Sequence, residues 1–355
     1  MSGTSLDGAD AILADFSQPA PHVLAFASAP YPDPLRAELH ALNWPGQNEI
    51  ERGQLAANQL AHVYARVVAS VLHQADVAAG NIRAIGCHGQ TVRHRPDLGF
   101  TTQLNNAALI AELTGIDVVA DFRSRDVASG GQGAPLTPAF HDGMFRSSSE
   151  ARVIVNIGGI ANVSILQPGQ AVWGFDCGPG NCLMDDWVGR HHQEPYDKNG
   201  NWAAQGTRSI GLLNQMQQDV YFAAPPPKST GRDHFHADWL NQFLADESPA
   251  DVQATLLELT AWGIINHISR YAPDTATAII CGGGANNSTL LAKISELLPT
   301  IRVETTDQYQ VPAQQVEALA FAWLAKQCID GVALDLTRTT GARKTNILGS
   351  ITRAA

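Results

Sequence analysis

The sequence predicts an α/β protein made of two similar halves. Three observations carry this. Small-residue turns stand at Ser2–Ser5, Gly158–Ile160 and Gly282–Gly284, and the last two follow apolar, strand-like runs. A pattern of strand, turn, strand, turn, strand occurs near the start and again from Val153, each time headed by such a turn, with no fixed-period repeat between them. At 355 residues the chain is long enough to bury two separate cores. Turns of this kind bring backbone N–H groups to one point, as phosphate groups require, so three of them suggest a nucleotide gripped between two lobes.

The elements follow in order. Residues 10–16 and 22–30 read as a hairpin. Leu60, Val63, Val67 and Val71 recur at helical spacing, which predicts a long amphipathic helix over 49–77. A short strand delivers Cys87–Thr91. Asn105–Gly115 is a helix ended by its glycine, followed by the strand 117–121. Residues 121–135 are glycine-rich, charged and without period, and the crossing between domains is expected there. This gives 1–120 plus 331–355 for the first lobe and 121–330 for the second, with Gly130–Gly133 as a hinge. Strands at 153–157, 163–166 and 172–175 open the second half. The stretch 195–232 is polar and proline-bearing. Helices are expected at 251–270 and 313–328, with a strand at 277–281 between them.

Composition narrows the function. Hydrophobic residues make up 45% and charged residues 16%, which describes a packed globular protein. A net charge of −11 argues against a nucleic-acid partner. No apolar run reaches membrane-spanning length, and no signal peptide precedes the first motif, so no membrane partner is expected. Five scattered cysteines contain no Cys-x-x-Cys pair and read as reduced thiols of a cytoplasmic protein rather than disulfides or a zinc site. Neither a P-loop nor a Rossmann glycine pattern is present.

Several side chains could carry chemistry. Asp176 ends an apolar strand and enters Gly178-Pro179-Gly180 ahead of a helix. It suits a general base, though taken alone an acid there is more often an N-terminal cap. Asp185 and Asp186 lie one turn into that helix, where complementing its dipole is the simpler reading. Arg123, Arg125, Lys228 and Arg232 are cations in loops of a charge-poor chain, either anion contacts or solvated charges. His88, Gln90 and Thr91 form a polar cluster of the kind that holds sugar hydroxyls.

Taken together, Met1–Asp10, Cys87–Thr91, Asp121–Pro138, Asn156–Asn162, Gly174–Asp185, Pro227–Arg232, Cys281–Asn287 and Glu317–Trp323 resemble the anhydro-N-acetylmuramic acid kinases of the sugar kinase/Hsp70/actin superfamily. The resemblance implies a two-lobed actin-like fold with a central cleft. It also implies use of ATP, Mg2+ and water to open 1,6-anhydro-N-acetylmuramic acid and phosphorylate O6 in peptidoglycan recycling. Asp176 would be the base. Gly3, Thr4, Ser5, Leu6, Asp7, Gly8, Ala9 and Asp10 would bind the ATP phosphates, as would Gly158 and Gly159, with Gly282, Gly283 and Gly284 near the adenosine. The sugar would meet His88, Gln90, Thr91 and Glu317, with Arg123 or Arg125 on its lactyl carboxylate. A homodimer is expected from the family, with no segment marking its interface.

Two departures bear on this. Family members carry a short strand before Met-Ser-Gly-Thr, whereas Met1 begins this sequence, so an unpaired sheet edge is expected. Met1 also occupies the place where superfamily kinases often have Asp, so no magnesium ligand carries over. The other readings are a kinase for a different amino sugar and a non-catalytic ATP-binding module.

Overall fold

The computed structural model describes every residue except Thr4, Ser5, Pro19 and Ala355. The chain divides into two compact units, Met1–Phe140 with Gln315–Ala355, and His141–Gln314. The boundaries expected at 120/121 and 330/331 are therefore displaced, and residues 121–140 and 315–330 side with the first unit. The cause is tertiary. Strand Val118–Ala120 pairs with Ser350–Thr352 near the end of the chain. Just beyond that strand, buried Asp126 accepts from Thr340 Oγ1 at 2.8 Å. Phe321, on helix Val316–Ile329, packs against His88 and Phe122. Residues 130–133 are not a hinge between the units. Gln132 N–H donates to Thr340 O at 2.8 Å and Gly133 N–H to Asp126 Oδ2 at 2.7 Å, which ties the glycine loop into the first unit.

The second unit is built on one five-stranded sheet. Its strands lie in the order Arg302–Thr305, Thr275–Cys281, Ala151–Ile157, Ile160–Leu166, Trp173–Pro179. The first three are parallel and the rest antiparallel. Val153, Ile154 and Val155 are fully buried, as a central strand covered on both faces requires. Helix Pro249–Tyr271 covers this sheet with Val252, Leu256 and Leu259. Pro249 sits at its first position, and Ser248 Oγ accepts from Asp251 N–H at 3.2 Å, the start expected of a capped helix.

The first unit carries the hairpin Gly8–Asp15/His22–Pro30 and a small sheet in which Ile85–Gly86 runs parallel to Val118–Ala120. Helix Glu49–Ala75 packs on the hairpin through the apolar stripe read from the sequence. Sequence periodicity missed helix Asp33–Ala41 and the hairpin Gln90–Arg95/Phe100–Leu104. Both are short, and the hairpin alternates mostly polar residues, so neither carries a strong apolar period.

The edges of Gly8–Asp15 and Ile85–Gly86 face a common cavity of about 590 Å³. Val67, Val71, Ala318 and Ala322 are among the apolar side chains lining it. Met1 is among its lining residues. Its ammonium donates to Asp10 O at 2.6 Å, and Asp10 N–H donates back to Met1 O at 2.8 Å. The unpaired edge is thus present, yet Met1 is held in place.

Candidate active site

In the first unit Ser2 and Gly3 are fixed by the very cluster the sequence suggested for a sugar. Arg123 donates through Nε (3.1 Å) and Nη2 (2.9 Å) to His88 Nε2. That nitrogen therefore accepts, and the Nδ1–H donates to Ser2 O at 3.1 Å. Burial, reinforced by the Arg123 charge, keeps this imidazole well below its ordinary pKa and neutral. Gln90 Nε2 donates to Gly3 O at 3.0 Å, and Ser2 Oγ donates to Gly89 O at 2.9 Å. Gln90 is 0% exposed and His88 5%, so both hold Ser2 and Gly3 in place and neither offers a free polar atom to a sugar. Thr91 Oγ1 accepts from Gln103 across the second hairpin.

Beyond Gly3 the chain reaches Leu6, which is buried with φ +58°, a backbone conformation that costs a leucine free energy and concentrates at functional turns. Asp7 is exposed, and its carbonyl accepts from Tyr31 N–H at 3.1 Å. Gly8 lies so close to Ala29 that a Cβ would meet its carbonyl oxygen at 2.3 Å. Ala9 is buried and Asp10 half-buried. Thr4 and Ser5 lie outside the described residues.

Arg123 also donates to Gly133 O at 2.7 Å, and burial lowers its guanidinium to about 10. Arg125, on the short helix Ser124–Ala128, is exposed. Glu317 stands in the first turn of helix Val316–Ile329. Its side chain reaches solvent, yet surrounding protein raises its carboxyl above the ordinary range, while Arg123 and the chain-start ammonium pull it back.

In the second unit three glycine-bearing segments press together. A Cβ on Gly180 would meet Gly158 O at 2.3 Å, one on Gly282 would meet Asn156 Oδ1 at 2.3 Å, and one on Gly284 would meet Ile157 Cγ2 at 2.4 Å. The Gly158 and Gly159 carbonyls accept from Asn181, Gly180 and Cys182 N–H, so the turn sits over the start of helix Cys182–His192. Gly283 is exposed above it. Glycine is required at these approaches because any side chain would force the segments apart.

Asp176 lies within strand Trp173–Pro179, and the helix that follows starts at Cys182, with Asn181 in the N-cap position. The capping alternative is thereby removed. Thr230 N–H donates to Asp176 Oδ2 at 3.0 Å, and Asp176 N–H reaches Lys228 O at 3.3 Å. Tyr221 Oη donates to the Asp176 carbonyl at 2.8 Å. Lys228 Nζ donates to Tyr221 O at 2.8 Å and lies over the Tyr221 ring. Burial raises the Asp176 carboxyl to about 6, against the lowering effects of Thr230 N–H and Lys228. A carboxylate with one oxygen clamped and a proton affinity near neutrality is suited to accept a proton from water.

A family model described as anhydro-N-acetylmuramic acid kinase matches residues 1–354. The chain belongs to this family. It is 53% identical to the anhydro-N-acetylmuramic acid kinase of Cupriavidus metallidurans, over 99% of this chain and 96% of that one. It is 54% identical to that of Bordetella parapertussis, over 99% of this chain and 94% of that one. Among solved structures, a ROK family glucokinase from Streptomyces griseus in complex with glucose and AMPPNP is similar over 90% of this chain and 100% of that one, at 13% identity and a TM-score of 0.43.

For a member of this kinase family, the sequence singled out Asp176 and the glycine turns but missed Thr230, Tyr221 and Asp126. A backbone N–H donor leaves no trace in residue type. Asp126 does, as an acid beside Gly130–Gly133, but its role is visible only once Thr340 arrives. Among the described residues no group of three or more His, Cys, Asp or Glu could hold a metal ion, so these residues build no metal cage of their own.

Proposed function

We propose that the protein uses ATP and water to convert 1,6-anhydro-N-acetylmuramic acid into N-acetylmuramic acid 6-phosphate and ADP, a step of cell-wall recycling. The observation that carries the mechanism is Asp176, an acid held by Thr230 with its proton affinity raised toward neutrality. In this reading Asp176 takes a proton from water as the water oxygen bonds to the anomeric carbon. The C1–O6 bond breaks, and the O6 electron pair attacks the γ-phosphorus, expelling ADP. Alignment and charge neutralisation supply most of the catalysis of that transfer.

The glycine segments at Gly158–Gly159 and Gly282–Gly284, and the opening turn with Gly3 and Leu6–Asp10, are assigned to the nucleotide. Arg123 is assigned to the lactyl carboxylate, because it is the half-buried cation of the pair and Arg125 the exposed one. Glu317 is assigned to the sugar. His88 and Gln90 are reassigned from sugar contacts to supports of the opening turn. The nucleotide is taken to arrive as its magnesium complex, since phosphates supply most ligands of such an ion and a dedicated cage is not needed. A cytoplasmic location suits a chain with five free cysteines in which, among the described residues, no helix is long and apolar enough to cross a membrane.

The test is turnover with purified protein, ATP and magnesium. ADP release should require the ring-closed anhydro sugar, and ring-open N-acetylmuramic acid should be a poor substitute. No ADP with the anhydro sugar, or equal rates with both, would remove this assignment. Melting adds a check: ATP and the anhydro sugar should each raise the melting temperature.

A further inference from the structure

Loop residues Pro227–Arg232 touch two parts of the site at once. Thr230 N–H clamps Asp176 Oδ2, and two residues later the Arg232 guanidinium lies over the Gly158–Gly159 turn. Its Nε is 3.5 Å from where a Cβ of Gly159 would stand. There Arg232 Nη1 donates to Asp186 Oδ1 at 3.3 Å, one turn into helix Cys182–His192. Both partners are open to solvent, with side-chain exposures of 58% and 39%. A pair this exposed is weakly held. A triphosphate carries several negative charges and accepts in the forked geometry a guanidinium offers, so it is the stronger partner. Asp185, next to the pair, is half-buried, and its carboxyl is raised to about 7 by burial, so it competes weakly for the same cation.

We propose that Arg232 is a nucleotide-phosphate ligand parked on Asp186, and that Arg232 on the phosphates anchors the loop so that the Thr230 clamp on Asp176 is held through turnover. The loop then couples the bound nucleotide to the hold on the base. This rests on the reading that the Gly158–Gly159 turn takes phosphate.

The experiment measures ATP affinity by calorimetry, and kcat and KM with the anhydro sugar, for Arg232→Met, Arg232→Lys, Asp186→Asn and the Arg232→Met/Asp186→Asn double variant. Arg232→Met should weaken ATP roughly tenfold or more and lower kcat even at saturating ATP. Arg232→Lys should recover part of the affinity. Asp186→Asn should tighten ATP by about two- to fivefold, because the competing anion is gone. That gain should vanish in the double variant. An Arg232→Met protein with unchanged ATP affinity, or a gain from Asp186→Asn that persists without Arg232, would overturn the ligand role. Full recovery of kcat at saturating ATP would overturn the coupling. A wild-type protein that binds no ATP would instead sink the underlying assignment of the glycine turn.

Discussion

Replacing Asp176 by Asn separates its chemistry from its structural role. Asn keeps the volume and can still accept from Thr230 N–H through its amide oxygen, but it cannot take a proton. Removal of a general base costs about 10²- to 10⁴-fold in rate, or roughly 3–5 kcal/mol in the barrier. The wild-type profile should show the base directly. With its carboxyl near 6, kcat/KM should fall about tenfold per pH unit below that value and level off above it. The same burial predicts an opposite effect on stability. Raising the folded pKa from 3.8 to about 6 means that the charged form disfavours folding by about 3 kcal/mol once pH exceeds 6. The sign follows from proton binding: the folded state holds this proton more tightly, so stability from Asp176 is complete below 3.8 and lost as pH rises through 6. Asp176→Asn should therefore melt higher than wild type at pH 8 and show little gain at pH 4. Stopped-assay kinetics and calorimetry at the two pH values test both halves. A variant that turns over normally, or that melts lower at pH 8 than wild type, would refute the reasoning.

Other expectations are simpler. Arg123→Met should raise KM for the anhydro sugar by roughly tenfold or more, while exposed Arg125→Met should not; an anhydro sugar lacking the lactyl ether should abolish the difference, and an undiminished penalty with that analogue would show that Arg123 acts only through His88 and Gly133. Gly284→Ala puts a methyl 2.4 Å from Ile157 Cγ2; it should cost about 1–3 kcal/mol in stability and raise KM for ATP, both read in one preparation by denaturation and kinetics. Six residues with alternate apolar side chains, added ahead of Met1, should pair with the free edge of Gly8–Asp15, fill the cavity and raise the melting temperature by several degrees. The same extension with prolines at the bonding positions should not, and equal effects from the two would deny that the cavity accepts a strand.

Much of this was legible in the residues, and the exceptions have physical causes. Long amphipathic helices such as Glu49–Ala75 and Pro249–Tyr271 announce themselves by spacing, and the glycine turns by composition. What sequence could not supply is which polar group meets which. His88 and Gln90 look like sugar ligands because their chemistry is right, but their partners are the carbonyls of Ser2 and Gly3, more than eighty residues away. Asp176 precedes a helix and so resembled a cap. Only the observed start of that helix, at Asn181, shows that the strand has not ended at Asp176. The boundary near residue 121 failed for the same reason, because a glycine-rich, aperiodic stretch reads as a linker until Asp126 and Thr340 are seen to bind it.

Turnover in water enriched in oxygen-18, quenched promptly and read by mass spectrometry, follows the atom that loses its proton to Asp176. The label should enter the anomeric hydroxyl of the sugar phosphate once per ADP formed and be absent from the phosphoryl group. Label in inorganic phosphate, or an unlabelled sugar product, would contradict water activation at the anomeric carbon.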